Sequence, residues 1–190
     1  FIYTTLLVGK LEKSMFYGCI TLESLDFSNF PTNKVVYMNE LFYGSSSLIS
    51  LNLEKFFLNR VQGMGYMFYG CKSLISLALP GLNNLVVSNT THMFMGCSSI
   101  TSIDLYYFDL HNSLSFDYMF ADCSFLNTLN LYKWNTKNVR TMEYMFAGCS
   151  SLTSLSLVSF ETPYLETVKG MFYGCISLTS LDLSHFNTSS

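Results

Sequence analysis

Apolar residues fall along this chain in a pattern that repeats without a slip. A Met-Phe pair recurs as Met15-Phe16, Met67-Phe68, Met93-Phe94, Met119-Phe120, Met145-Phe146 and Met171-Phe172, with Leu41-Phe42 completing the series at a constant step of 26 residues. Numbered from the Met of that pair, the repeat reads MFxGCxSLxSLxLxxFxTxxVxxMxx, with apolar types at positions 1, 2, 8, 11, 13, 16, 21 and 24. A fixed period of this length marks stacked supersecondary units, each contacting only its neighbours. Seven repeats fill 15–190, the last cut short, and 1–14 is a degenerate partial repeat, so 1–190 reads as a single solenoid domain.

Two local periods lie inside each repeat. Positions 11 and 13, such as Leu51/Leu53 and Leu155/Leu157, alternate with polar residues, which predicts a short strand. From position 21 the spacing changes: Val139, Met142, Met145 and Phe146 follow an i, i+3, i+6, i+7 course, as on one face of two helical turns. The glycine column at position 4 (Gly18, Gly44, Gly70, Gly96, Gly148, Gly174) then falls where a left-handed residue would end that helix, and Asp122, the one exception, tolerates this conformation better than most side chains. Thr32, Thr136, Thr162 and Thr188 precede the helical pattern as candidate N-caps. Strands about 4.8 Å apart on one side and helices about 8–10 Å apart on the other would bend the stack. The expected fold is an α/β leucine-rich-repeat solenoid, horseshoe-like, with a concave parallel sheet and short convex helices.

With LxxLxL and MFxGCxSL both in view, the chain resembles the BspA-like leucine-rich-repeat surface proteins, over almost its whole length. Departures are few: Ser45 replaces Cys and Leu41 replaces Met. The resemblance implies an extracellular or cell-surface protein engaged in adhesion or in binding matrix and host proteins. It carries over no catalytic residue.

Composition narrows the partners. Charged residues make up only 12% of the chain, well under the roughly 25% of ordinary domains, so Ser, Thr, Asn and Tyr must cover much of the surface. A net charge of −3, with ten Lys plus Arg spread over seven repeats, offers no basic stripe for nucleic acid. No apolar run approaches the roughly 18 residues of a membrane span, and the opening FIYTTLLVGK is too short and wrongly flanked for a signal peptide. The chain starts without Met at Phe1 and stops at Ser190 inside a repeat, which reads as an excised or processed chain with no polar cap on its last rung.

Candidate chemistry is sparse. The six cysteines, Cys19, Cys71, Cys97, Cys123, Cys149 and Cys175, share one column and read as buried apolar thiols, since helices would hold that edge of the rungs too far apart for disulfides. No metal site is expected: there is no C-x₂-C pair, and His92, His111 and His185 occupy three columns and read as surface residues. The aspartates of position 12, Asp26, Asp104 and Asp182, lie three rungs apart, about 14 Å at strand spacing, beyond the roughly 5–9.5 Å of paired glycosidase carboxylates. No catalytic group and no cofactor is expected.

Recognition would fall on the exposed columns. Position 10 is a Ser/Thr ladder from Ser24 to Ser180, read first as solubility and strand-edge packing and second as a ligand contact. Position 14 varies most, and there Tyr106 and Tyr132, with Asp104, Asn130 and Glu54 close by in the pattern, are the candidate binding residues. The tyrosine column at position 3 (Tyr17, Tyr43, Tyr69, Tyr173) reads as a shield for helix ends, and Trp134 as core. Asn89 and Asn187 head N-x-[ST] triplets and are possible glycosylation sites. Two functions follow as expectations: a non-enzymatic adhesion or protein-binding module, or a subunit that assembles head to tail through uncapped repeat ends into a filament or surface layer.

Overall fold

A computed structural model describes residues 14–27, 32–80, 87–106, 108 and 110–186. Seven short strands recur once per repeat: β1 (Ser24–Leu25), β2 (Ser50–Asn52), β3 (Ser76–Ala78), β4 (Ser102–Asp104), β5 (Thr128–Asn130), β6 (Ser154–Leu155) and β7 (Ser180–Leu181). All pairs are parallel and in register with the 26-residue step: Ser24 faces Ser50, Ser50 faces Ser76, Ile103 faces Leu129 and Leu155 faces Leu181. The strands group as β1-β2-β3, β4-β5 and β6-β7. The chain is a repeat solenoid, and every strand sits where the leucine alternation places it.

Helices are absent from the described residues, which corrects the expected convex layer. The segment from position 24 to position 5 is instead a run of tight turns stitched to the next rung. Leu41 N–H donates to Met38 O (3.3 Å), Tyr43 N–H to Glu40 O (3.1 Å) and Ser45 N–H to Phe42 O (3.0 Å), each three residues back. The intervening amides cross the stack: Met38 N–H donates to Gly63 O (2.8 Å), Glu40 to Gly65 O (3.0 Å), Phe42 to Met67 O (2.9 Å) and Gly44 to Tyr69 O (2.7 Å). A helix would send all of these amides back along its own axis.

The backbone conformation explains the choice. Position 26 has positive φ in every repeat, at Ser14, Glu40, Tyr66, His92, Tyr118, Tyr144 and Gly170, and so does position 4. A left-handed residue at the third place of a four-residue turn is what a type II turn requires, and one inside a helix stops it. Asp122 takes φ 60° among the position-4 glycines, as its tolerance of that region leads one to expect, but it closes a turn and not a helix. The threonines are no caps either. Thr32, Thr136 and Thr162 are buried; the Thr32 hydroxyl accepts from Phe57 N–H and Thr136 donates to Glu161 O in the following rung, both at 2.8 Å.

Packing follows from the stack. Phe16, Phe42, Phe68, Phe94, Phe120, Phe146 and Phe172 form one file of parallel rings, centroids 5.4–5.6 Å apart and planes within 9°. That separation is an offset stack, the favoured arrangement for parallel rings. Val139, Met142, Met145 and Phe146 are all fully buried, so the apolar spacing marked the inward face correctly. Trp134 is core at 2% exposure, its Nε1–H donating to Leu105 O at 3.2 Å. Neighbouring stacked rings around the rung lie 4.4–6.4 Å apart, far short of helix spacing. The helix spacing on which the expected bend rested is therefore absent from the described residues.

The left-handed turns can be tested against a helix directly. Replacing Tyr118 (φ 57°) with Gly should leave the protein about 1 kcal/mol more stable than replacing it with Ala. A helix predicts the opposite order by a similar amount. Urea unfolding of the two variants decides between them.

Candidate functional site

The strands turn their Ser/Thr column outward: Ser24, Ser50, Ser76, Ser102, Thr128, Ser154 and Ser180 are all exposed. Just past them, the acidic and amide residues of position 12 have a structural task. Asp104 Oδ1 accepts from Tyr106 N–H (3.0 Å), Asn130 Oδ1 from Tyr132 N–H (3.2 Å), Asn52 Oδ1 from Glu54 N–H (2.9 Å) and Asp182 Oδ1 from Ser184 N–H (2.8 Å). These are side-chain-closed turns two residues long, a use that favours Asp and Asn. Asp104 and Asn130 thus hold the backbone beneath Tyr106 and Tyr132.

Those two rings stand parallel, centroids 6.4 Å apart and planes 7° from each other. The Lys133 ammonium lies 4.6 Å from the Tyr106 ring centre, within cation–π range. Tyr132 is 63% exposed and Tyr106 half-buried. Glu54 is exposed on the same column but belongs to rung 2, apart from the tyrosines of rungs 4 and 5; its carboxylate accepts from Asn52 Nδ2 at 3.4 Å. An open groove over β6 and β7 is lined by Ser154, Ser156, Val158, Ser180 and Asp182, and the Asp182 carboxylate has Ser184 and His185 for neighbours.

A second aromatic surface runs along the turns. Tyr17, Tyr43 and Tyr69 stack at 4.7 and 4.5 Å. Tyr66, His92, Tyr118 and Tyr144 stack at 4.4, 4.7 and 5.1 Å. The two files meet where Tyr66 lies 5.8 Å from Tyr69 and 6.3 Å from Tyr43. Each position-26 residue is three residues before position 3, and the pairs trade bulk: Ser14/Tyr17, Glu40/Tyr43, Tyr66/Tyr69, His92/Met95, Tyr118/Ala121, Tyr144/Ala147, Gly170/Tyr173. Every rung thereby keeps at least one ring on this ridge. Gly170 fits the same rule, because a side chain there would collide with the Tyr144 ring. The carboxylates alongside are committed to the frame: Asp117 accepts from Glu143 N–H (2.7 Å) and from the Thr141 hydroxyl (2.9 Å). Position 3 therefore shields no helix end.

His92 is not the surface residue that its isolated column position implies. It lies between the faces of Tyr66 and Tyr118, and its Nδ1 is buried with no hydrogen-bond partner. Burial lowers its imidazole pKa, and the neighbouring Asp117 carboxylate offsets this in part. On the ridge's other file, burial and then the phenols of Tyr69 and Tyr17 raise the Tyr43 hydroxyl.

The cysteine column is buried at Cys71, Cys97, Cys123 and Cys149 and half-buried at Cys19 and Cys175. From Cys71 onward each thiol donates to the Phe carbonyl of the preceding rung at 3.1–3.2 Å, and the Ser45 hydroxyl makes the same bond to Phe16 O at 2.8 Å. The substitution at Ser45 thus keeps the donor. Burial pushes the Cys71 and Cys123 thiols up to about 12 and those of Cys97 and Cys149 well above the ordinary value. Among the described residues no three His, Cys, Asp or Glu side chains gather as a metal site, and no helix is long and apolar enough to cross a membrane.

Two stretches, residues 3–102 and 88–190, match the model of a family described as Mycoplasma protein of unknown function, DUF285. The chain belongs to this family. No curated protein and no solved structure matches it. In this DUF285 chain Asn89 is exposed, but its Oδ1 accepts from both Thr91 N–H (3.1 Å) and the Thr91 hydroxyl (2.9 Å). Asn187, and with it Thr188, lies outside the described residues.

Two measurements check these assignments. With a thiol-alkylating reagent at neutral pH, Cys71, Cys97, Cys123 and Cys149 should stay unlabelled in the native chain and label fully in urea, as read by peptide mass spectrometry. The second concerns His92. Its folded pKa lies below the unfolded value of about 6.5, so the unfolded chain takes up the proton first. The stability of the neutral stack is complete above that value and falls as the pH drops below it. His92→Tyr, which restores the residue type of the flanking rungs, should flatten that part of the stability-against-pH curve.

Proposed function

We propose that this chain is a non-enzymatic, surface-displayed module that binds a protein partner, of the matrix or cell-surface kind, through the Tyr106–Tyr132–Lys133 cluster at the exit of the sheet. The observation that carries it is the parallel tyrosine pair, half-buried Tyr106 and exposed Tyr132, on two backbone turns locked by Asp104 and Asn130. Aromatic side chains on a rigid frame give contact area at low entropic cost, and Tyr is enriched at interface hot spots. Lys133 beside the rings gives the patch a polar, cationic edge. The finer reading as a BspA-like leucine-rich-repeat adhesin rests on the resemblance of the repeats, and it supplies the extracellular setting in which such a partner would be met.

Solid-phase binding to a panel of purified matrix and cell-surface proteins tests the proposal. Tyr106→Ala/Tyr132→Ala should weaken the binding seen with the wild type by tenfold or more, about 1.4 kcal/mol, and the urea midpoint of Tyr132→Ala alone should change little because Tyr132 is exposed. A wild type that binds no member of the panel, or a double variant that binds as well as wild type, rejects this surface as the site.

A further inference from the structure

The sheet side of the stack carries one sign of charge. Across positions 9 to 14 of the seven repeats lie five carboxylates, Glu23, Asp26, Glu54, Asp104 and Asp182, and no Lys, Arg or His. All five are exposed. The hydroxyl and amide of Ser184 hold the Asp182 carboxyl below its ordinary value, so it is ionised at neutral pH. The sign reverses one place later, where position 15 supplies Lys55 and Lys133. A face of one sign, edged by the other, steers a charged partner and fixes its register.

The same face offers apolar contact between the charges. Ile49 and Ile75 are exposed beside Ser50 and Ser76 in rungs 2 and 3, and Tyr132 is exposed in rung 5. Lys133 shows what these rings accept: its ammonium lies 4.6 Å from the Tyr106 ring centre, a cation that the chain itself places on an aromatic face. Tyr132 meets Tyr106 on one side, and on the other its column continues as Val158, so no ring of that column covers its second face. Long basic side chains suit such a surface, because their methylene stems cover apolar groups while their charged heads reach carboxylates. Asp26, Asp104 and Asp182 stand three rungs apart, about 14 Å at strand spacing, a distance that an extended chain covers in about four residues.

We propose that the sheet face takes a basic, extended segment of the protein partner, laid along the stack and across the strands, with its Lys and Arg side chains on Glu54, Asp104 and Asp182 and over the Tyr132 ring. This rests on the reading of the Tyr106–Tyr132 surface as a protein-binding site and names the chemistry of the segment bound there. An acidic segment would meet five like charges. The repeat itself supplies the substitution that separates charge from structure. Asn52 and Asn130 close the same turn that Asp104 and Asp182 close, so Asp104→Asn removes the charge and keeps the bond.

Fluorescence anisotropy with the full 190-residue chain tests it. The probes are a labelled peptide with Arg at every fourth place of a Gly/Ser chain and a matched peptide with Glu in place of Arg. Expected is binding of the Arg peptide that weakens as salt rises, and no binding of the Glu peptide. Glu54→Gln/Asp104→Asn should weaken it about fivefold or more. Glu161→Gln/Glu166→Gln removes the same charge from exposed ion pairs with Lys137 and Arg140, at positions 17 and 22, and should leave it unchanged. Urea midpoints matching wild type show that both double variants are folded. Binding of the Glu peptide, binding of neither peptide, affinity that salt leaves unchanged, a sheet-face variant that binds like wild type, or equal loss in the two double variants overturns the basic segment. Binding to a matrix or cell-surface protein separates this inference from the reading on which it rests. If Tyr106→Ala/Tyr132→Ala weakens that binding and Glu54→Gln/Asp104→Asn does not, the tyrosine surface stands and the basic segment falls; if neither weakens it, both fall.

Discussion

The structure depends on one constraint: each rung is hydrogen-bonded to the next through the backbone of its turns, and within each of the three sheets through its strands as well. The strands pair at positions 10 to 12, and the turns pair at positions 24, 26, 2 and 4 through bonds of 2.6–3.0 Å such as Met38 to Gly63 and Gly44 to Tyr69. Because both sides keep close backbone spacing, each side chain sits on the residue of its own column one repeat away. Columns must then suit self-stacking, which Phe, Leu, Ser and a thiol or hydroxyl donor all do. Like charges do not, and the position-12 aspartates of the described rungs alternate with Asn, Ala or Ser and never touch one another.

Much of this was legible from the repeat. The strands, the Phe file, the burial of Val139, Met142 and Met145, the buried cysteines and the core place of Trp134 all follow from column identity. The turn segment differs from the expected helix because two structures share its apolar period. Successive i→i−3 turns return every third residue to one face, and over two turns this differs little from a 3.6-residue helix. The evidence against a helix was hidden at position 26, where Ser, Glu, Tyr, His and Gly share a positive φ but no side-chain type. Had that column been uniformly Gly or Asn, its left-handed backbone would have been visible in the sequence. Losing the helix also removes the spacing argument against disulfides. What the structure supplies in its place is a carbonyl partner for the thiols from Cys71 onward and their raised pKa.

The candidate site was legible in part. Tyr106 and Tyr132 are adjacent as their column implies, with Tyr132 exposed and Tyr106 half-buried, but Asp104 and Asn130 serve the backbone beneath them, a role the D/N preference at the end of each strand could have signalled. Glu54 lies on rung 2 beside Asn52, apart from the tyrosines of rungs 4 and 5. The turn-side ridge escaped notice because its rings come from two columns. Tyrosine leaves position 3 after Tyr69, just where Tyr66, His92, Tyr118 and Tyr144 begin to occupy position 26.

That exchange of bulk bears on where recognition can reside. A ring kept on every rung while its column changes is held by a demand of the stack, and the geometry supplies one: the rings lie over the left-handed turns, where inter-rung amide bonds would otherwise meet water. Stacking at 4.4–5.1 Å occupies ring faces with other rings, and Tyr43, Tyr66, Tyr118 and Tyr144 are half-buried in consequence. Position 14 carries no such demand. It passes from Glu54 through Pro80 to Tyr106, Tyr132 and Val158, and none of these contributes an amide or carbonyl to the strand ladder. A column free to vary beside a frame that cannot is where a partner-specific surface can be written without cost to the fold.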